Sequence, residues 1–303
     1  MSVTAAVILI VSAFTHAGWN FLSKKENPTL AFYLVANLVG VLCVLPILGI
    51  YRHQIPLIPP IIWICLISSG FFLAVYMAFL AGAYRTGDLS VVYPLARSLP
   101  AIMVTFITAM MGENQVVGPA FTAGVIMVTV GCLVLPIQRI CQFSISSYMN
   151  LSCLLAAMAA VCIAGYTVVD GEAMAAFRAT AGSCFNPLSA TLIYLALEAV
   201  TCTVWKIMIV LCSARERKSF AIVLKRSKVA AAKTGIGIYL TYGLVLLSMN
   251  FVTNVSYVAA FRQLSIPLGA IMGMVFLGEA RYLTKISGLI TIFSGMVLLS
   301  FSN

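Results

Sequence analysis

Four ionisable residues, Arg97, Glu198, Lys206 and Arg262, lie inside stretches that are otherwise apolar. A charge near the centre of a bilayer costs between about 2.5 and more than 10 kcal/mol, depending on the reference state, so such groups face a cavity or pair with one another. The apolar stretch around Glu198 places it about 3 Å along the axis from the midpoint of its helix. A carboxyl taken out of water holds a proton more readily than a solvated one, which makes Glu198 the candidate for proton coupling. The competing role is a fixed ion pair with Arg97, Arg262 or Lys206. Lys206 sits about 9 Å from the same midpoint, close enough to the helix end to snorkel outward, and reads as structural. Arg97 and Arg262 each fall a few residues before the midpoint of a helix. Those helices are of opposite sense, so the two anchors lie on either side of the membrane centre, roughly 10 Å apart in depth. Such a pair could pass an anion across the midplane. Alternatively, each bonds backbone carbonyls freed at Pro100 or Pro267.

A second group lies on one face of the first helix, where His16, Trp19 and Asn20 are spaced i, i+3 and i+4. Histidine can take up a proton, and tryptophan offers an aromatic wall. Tyr166 and Thr167 occupy the matching places in the second half of the chain. Tyr93 shares a helix face with Arg97, and Asn250 is a further polar candidate for the cavity or for helix–helix bonding. Asp170 and Glu172 follow the expected sixth helix and are expected to be solvated. No Gly-x-Ser-x-Gly, Walker A or metal-spaced histidine pattern is present, and His16 and His53 are the two histidines. None of the nine cysteines forms a Cys-x-x-Cys pair. The expectation is no enzyme, no cofactor and no metal site, and an ATP-driven pump is excluded for this chain alone.

The elements that must position these residues follow from composition. Of 303 residues, 62% are hydrophobic and 9% charged, whereas a soluble domain carries about a quarter charged. Mean hydropathy is +1.07. A crossing of the hydrocarbon core takes roughly 20 apolar residues, and this sequence supplies such runs repeatedly. It reads as an all-α polytopic membrane protein. The spans are expected near 3–22, 29–50, 60–84, 89–111, 116–137, 148–169, 188–212, 234–253, 255–277 and 282–301. The first lacks a basic leader and reads as an uncleaved span. A loop at 170–187 and a basic loop at 213–233 separate the later spans. The second carries seven Lys/Arg and one Glu, the composition of an amphipathic segment lying on the membrane surface.

The two halves of the chain match. Ser90 precedes Glu113 by 23 residues in "SVVYPLARSLPAIMVTFITAMMGE", and Ser256 precedes Glu279 by 23 in "SYVAAFRQLSIPLGAIMGMVFLGE". Each segment carries an arginine at similar depth, then a proline, then a terminal Gly-Glu suited to a helix end. In the helix that follows, Gly124 and Gly131 in the first half match Gly288 and Gly295 in the second. Five spans per half put the second half into the membrane in the opposite sense. The expected organisation is an inverted 5+5 repeat, residues 1–140 and 141–303, the arrangement many secondary transporters build around a midplane site.

"HAGWNFLSK" (16–24), "GDLSVVYPLAR" (87–97), "MGE" (111–113) and "YVAAFRQLSIP…LGE" (257–279) resemble the drug/metabolite transporter superfamily, in its ten-helix EamA-like branch. The resemblance covers essentially the whole chain. It departs at Gln263, where the family often has an acid in a Pro-Leu-Arg-Glu phrase. The resemblance implies an alternating-access carrier with a cavity lined by helices 1, 3, 4, 6, 8 and 9. The substrate would be a small, anionic or zwitterionic metabolite, moved across the inner or plasma membrane by a monomer or homodimer that binds no nucleic acid. A flippase for a lipid-linked headgroup and a non-transporting membrane subunit are the alternatives. Topology divides the arguments. Loops after odd-numbered helices hold thirteen Lys/Arg against two on the other side, which places both termini outside by the positive-inside rule. The family habit is cytoplasmic termini.

Overall fold

In a computed structural model of the chain, residues 3–110, 119–137, 150–180, 185–249 and 262–301 are described. These residues are all-helical, with no strand among them: α1 (Val3–Lys25), α2 (Leu30–Ile50), a 3₁₀ turn (Ile55–Leu57), α3 (Pro60–Thr86), α4 (Leu89–Met110), α5 (Pro119–Val134), α6 (Leu151–Thr180), α7 (Pro187–Cys212), α8 (Ala214–Arg226), α9 (Lys228–Met249), α10 (Ser265–Phe276) and α11 (Leu283–Phe301). Five of them, α1, α2, α3, α6 and α7, are long and apolar enough to cross a membrane. Asn250, Glu113 and the phrase "SYVAAF" at 256–261 lie outside the described residues.

Local chemistry sets the helix ends. After α1, Asn27 takes the left-handed conformation (φ 48°) ahead of Pro28, a stop that asparagine tolerates and proline enforces. Thr29 then opens α2 by accepting from the amide of Phe32 at 3.2 Å. α7 starts with a capping box, in which Asn186 Oδ1 accepts from the Ser189 amide at 2.7 Å and Pro187 takes the first position.

The sixth helix corrects the expected loop at 170–187. It runs to Thr180, so Asp170 and Glu172 lie within it. "VVDGEA" looks like a breaker, but the "EAMAAFRAT" that follows is rich in strong helix formers, which carry the turn past Gly171. The basic segment is likewise a separate helix, α8, followed directly by α9 from Lys228. Within the expected ninth span, a turn at 263–264 follows Arg262 and leads into α10.

The chain forms two compact units, whose boundaries fall inside α3, α6 and α9. The first comprises residues 1–28, 79–160 and 237–303. Within it α5 and α11 pack through their glycines. A Cβ on Gly131 would sit 2.8 Å from the Ile292 amide nitrogen and 2.9 Å from the Gly288 carbonyl, and one on Gly295 would sit 2.9 Å from the Gly124 carbonyl. The two Gly-x6-Gly pairs therefore meet crosswise, allowing backbone-to-backbone contact.

A polar knot ties the helix ends of this unit. Lys24 Nζ donates to the carbonyls of Tyr84 and Gly87, the latter at 2.7 Å, and so caps the C-terminus of α3. Gly278 (φ 68°) turns the chain after α10. The Glu279 carboxylate then accepts from the amides of Leu89 (2.6 Å) and Ser90 (2.8 Å), the N-terminus of α4. Lys285 is fully buried, 3.1 Å from Asp88 Oδ2 and 2.9 Å from Ser90 Oγ. Arg85 and Arg281 donate to the carbonyls of Pro28 and Met274. Four of the thirteen basic residues counted for topology are thus tied into helix ends.

The second unit comprises residues 29–78 and 161–236. Its apolar cluster includes Ile58, Ile62, Leu66, Phe177, Phe185 and Ile193. Side chains of α7 stitch it to α3: Thr201 donates to the Leu66 carbonyl and Trp205 Nε1 to that of Ile67, each at 3.0 Å. Asn37 of α2 donates to the Ala199 carbonyl at 3.2 Å.

Candidate functional site

In the first unit the sequence candidates come together around one imidazole. Asn20 Nδ2 lies 3.1 Å from His16 Nδ1 and donates to the His16 carbonyl at 2.8 Å. The His16 carbonyl, which can only accept, sets the amide orientation of Asn20, and the Tyr84 hydroxyl then donates to Asn20 Oδ1 at 2.7 Å. Tyr93 Oη also approaches His16 Nδ1, at 2.9 Å. Because Asn20 Nδ2 can only donate, Nδ1 is an acceptor and the ring proton belongs on Nε2. The Tyr93 hydroxyl accordingly donates to Nδ1.

The ring of Trp19 lies 5.1 Å from that of His16, and the ring of Tyr93 lies 6.0 Å away. Arg97 and Arg262 both lie near enough to act electrostatically on the His16 ring. Ser265 and Arg97 also lie near the Tyr93 hydroxyl. Tyr93 is 1% exposed and fits against α10 because Gly269 has no side chain. A Cβ there would stand 2.5 Å from Tyr93 Cδ1 and Cε1.

The polar balance of this cluster is uneven. Trp19 Nε1 and Arg97 Nε are buried donors with no hydrogen-bond partner among the described residues, and Gln263 Oε1 is a buried acceptor in the same condition. A buried donor left without an acceptor costs about 1–3 kcal/mol. Two such donors, with a second guanidinium and the His16 Nε2–H close by, suit a ligand that brings negative charge.

Glu198 and Tyr166 belong to the second unit. Glu198 Oε1 accepts from Ser69 Oγ at 2.7 Å. Asp170 lies beside Glu198, near enough for the two carboxyls to interact, and accepts from Tyr194 Oη at 2.7 Å. Asp170 is therefore a partner of Glu198, not the solvated residue expected. Tyr194 precedes Glu198 by one helical turn, a spacing visible in sequence, but Ser69 and Asp170 come from other helices. Lys206 is 1% exposed, beside Cys202, and does not snorkel. Tyr166 packs against Tyr76, ring centroids 6.3 Å apart. An open groove of about 580 Å³ between α3 and α6 is lined chiefly by apolar side chains such as Ile61, Ile64 and Ala175. No group of three or more His, Cys, Asp or Glu able to hold a metal occurs among the described residues.

No family model and no curated protein matches the chain. A solved structure described only as the crystal structure of a protein is similar over 98% of this chain and 96% of its own. With a TM-score of 0.53 at 17% identity, that likeness is one of fold alone, and it extends over nearly the full length of both chains.

Proposed function

We propose that this chain is a secondary transporter of the drug/metabolite transporter type, in which ten spans form an inverted 5+5 repeat. It moves a small anionic or zwitterionic metabolite across the inner or plasma membrane by alternating access. The observation that carries this reading is the set of buried donors around His16: Arg97 Nε and Trp19 Nε1, without acceptors among the described residues, beside Arg262 and an imidazole whose proton is on Nε2. An arriving carboxylate or comparable group satisfies donors that the described residues leave open, and a guanidinium offers it a bidentate fork. The Glu198–Asp170 pair supplies the second half of the mechanism. Glu198, whose Oε1 accepts from Ser69 Oγ beside Asp170, is the group through which we read flux as coupled to a proton.

The test is transport by purified protein in liposomes, using solutes selected by thermal shift of the wild-type protein. Arg97→Ala abolishes uptake while leaving a monodisperse protein of wild-type thermal stability, and Arg97→Lys restores only part, because it keeps charge without the planar fork. Wild-type flux in Arg97→Ala refutes the substrate role.

A further inference from the structure

The transport reading leaves one strongly charged feature unused: α8 and the start of α9. α7 is 26 residues long, about 39 Å at 1.5 Å per residue, against a hydrocarbon core of about 30 Å. Its C-terminus at Cys212 therefore projects into the headgroup layer, and α8 follows after a single residue, Ser213. That serine ends α7 and caps α8 by accepting from the Glu216 amide at 3.3 Å.

The charges of α8 are sorted. Its one acid, Glu216, is turned inward, where Oε2 accepts from the Ala31 amide at 2.9 Å in the first turn of α2. Arg217 is also engaged, donating to the Leu211 carbonyl at the end of α7. Arg215, Lys218, Lys225, Arg226, Lys228 and Lys233 are exposed. The segment has a near-balanced docking side (Glu216, Ser219, Phe220, Val223) and an outer side of one sign. Ile222 (55% exposed), Leu224 (44%) and Val229 (59%) flank those cations. Cations with interspersed apolar side chains at headgroup depth suit a lipid surface, where phosphates meet the charge and the apolar groups enter the acyl boundary. A soluble anion would leave the apolar side chains in water.

We infer that α8 and the first turns of α9 form a docking surface for the phosphate headgroups of anionic phospholipids. Because Glu216 ties α8 to α2 and Arg217 ties it to α7, lipid charge bears on the packing of both helices. The inference rests on the membrane location of the chain and not on its transporting anything.

Amide hydrogen exchange of the full-length protein tests it, in nanodiscs of neutral phosphatidylcholine and in nanodiscs with about one third phosphatidylglycerol. Residues 214–226 are expected to exchange at least tenfold more slowly in the anionic discs, and 0.5 M NaCl should remove the difference. Each basic side chain contributes to such binding, so Lys218→Gln/Lys225→Gln/Arg226→Gln should weaken lipid binding on the order of 100-fold and thereby remove the exchange difference. Equal exchange in the two lipids overturns the proposal. So does full retention of the difference in the triple variant, or its reproduction in neutral discs by inorganic phosphate. If the variant does not assemble, the wild-type lipid and salt comparison decides. Failure of the wild-type chain to enter discs of either composition refutes the membrane reading itself.

Discussion

Replacing Gly269 with alanine probes the contact on which the His16 cluster depends. The new methyl would stand 2.5 Å from Tyr93 Cδ1 and Cε1, whereas carbon atoms rest about 3.5–4.0 Å apart. The ring must therefore retreat by about 1 Å or α10 must move away. Tyr93 has little freedom to retreat, being 1% exposed and held 2.9 Å from His16 Nδ1. Overpacking of this kind costs about 1–3 kcal/mol. Loss of the Tyr93–His16 bond adds about 1 kcal/mol, and the better helix propensity of alanine offsets about the same amount. The expected net destabilisation is about 1–3 kcal/mol. It is measured by SDS-induced unfolding in mixed micelles, with Gly18→Ala as a matched control. A Cβ at Gly18 meets nothing within 4 Å, so only the propensity gain of up to about 1 kcal/mol remains there. In a Tyr93→Ala background, Gly269→Ala should lose most of its effect, which a double-mutant cycle reads directly. Stability of Gly269→Ala at or above that of Gly18→Ala refutes the reasoning, and so does an undiminished effect beside Tyr93→Ala.

Glu198→Gln, which keeps the shape and can still accept from Ser69, is expected to remove the pH dependence of flux in liposomes while leaving counterflow exchange intact. An unchanged pH profile assigns Glu198 a structural role. Asp88→Ala is expected to cost more stability than Lys285→Met. The first leaves a fully buried ammonium with Ser90 Oγ but no counter-charge, whereas the second leaves a carboxylate that is 47% exposed. Differences of about 2 kcal/mol are expected in the same micellar unfolding assay, and the reverse order contradicts the burial argument.

The sequence carried much of this arrangement where one helix suffices to encode it. The edges of α2, α3 and α7 and the start of α4 lie within about two residues of hydropathy limits, because the apolar runs there are bounded by polar caps, prolines or charged residues. The face shared by His16, Trp19 and Asn20 follows from helical spacing alone. What comes from distant segments was not legible. Tyr84 and Tyr93 reach this face from 64 and 77 residues away, and no local pattern announces which tyrosine will point at which imidazole. Asp170 was misplaced for a different reason. Charge and glycine in "VDGE" signal an end in an isolated reading, but the bond to Tyr194 and the helix formers downstream hold the turn. α8 was visible as composition, yet the inward turn of Glu216 depends on an open amide at Ala31 in another helix.

The crosswise glycines of α5 and α11 have a consequence for how this chain can vary. At Gly131 and Gly295 a side chain would meet main-chain atoms of the facing helix as well as its side chains, and the main chain cannot change rotamer to make room. Substitutions that raise hydropathy, and so improve each segment as a lipid-soluble helix, are therefore the ones that force these two helices apart. Along this seam, gain in membrane solubility and loss of assembly go together.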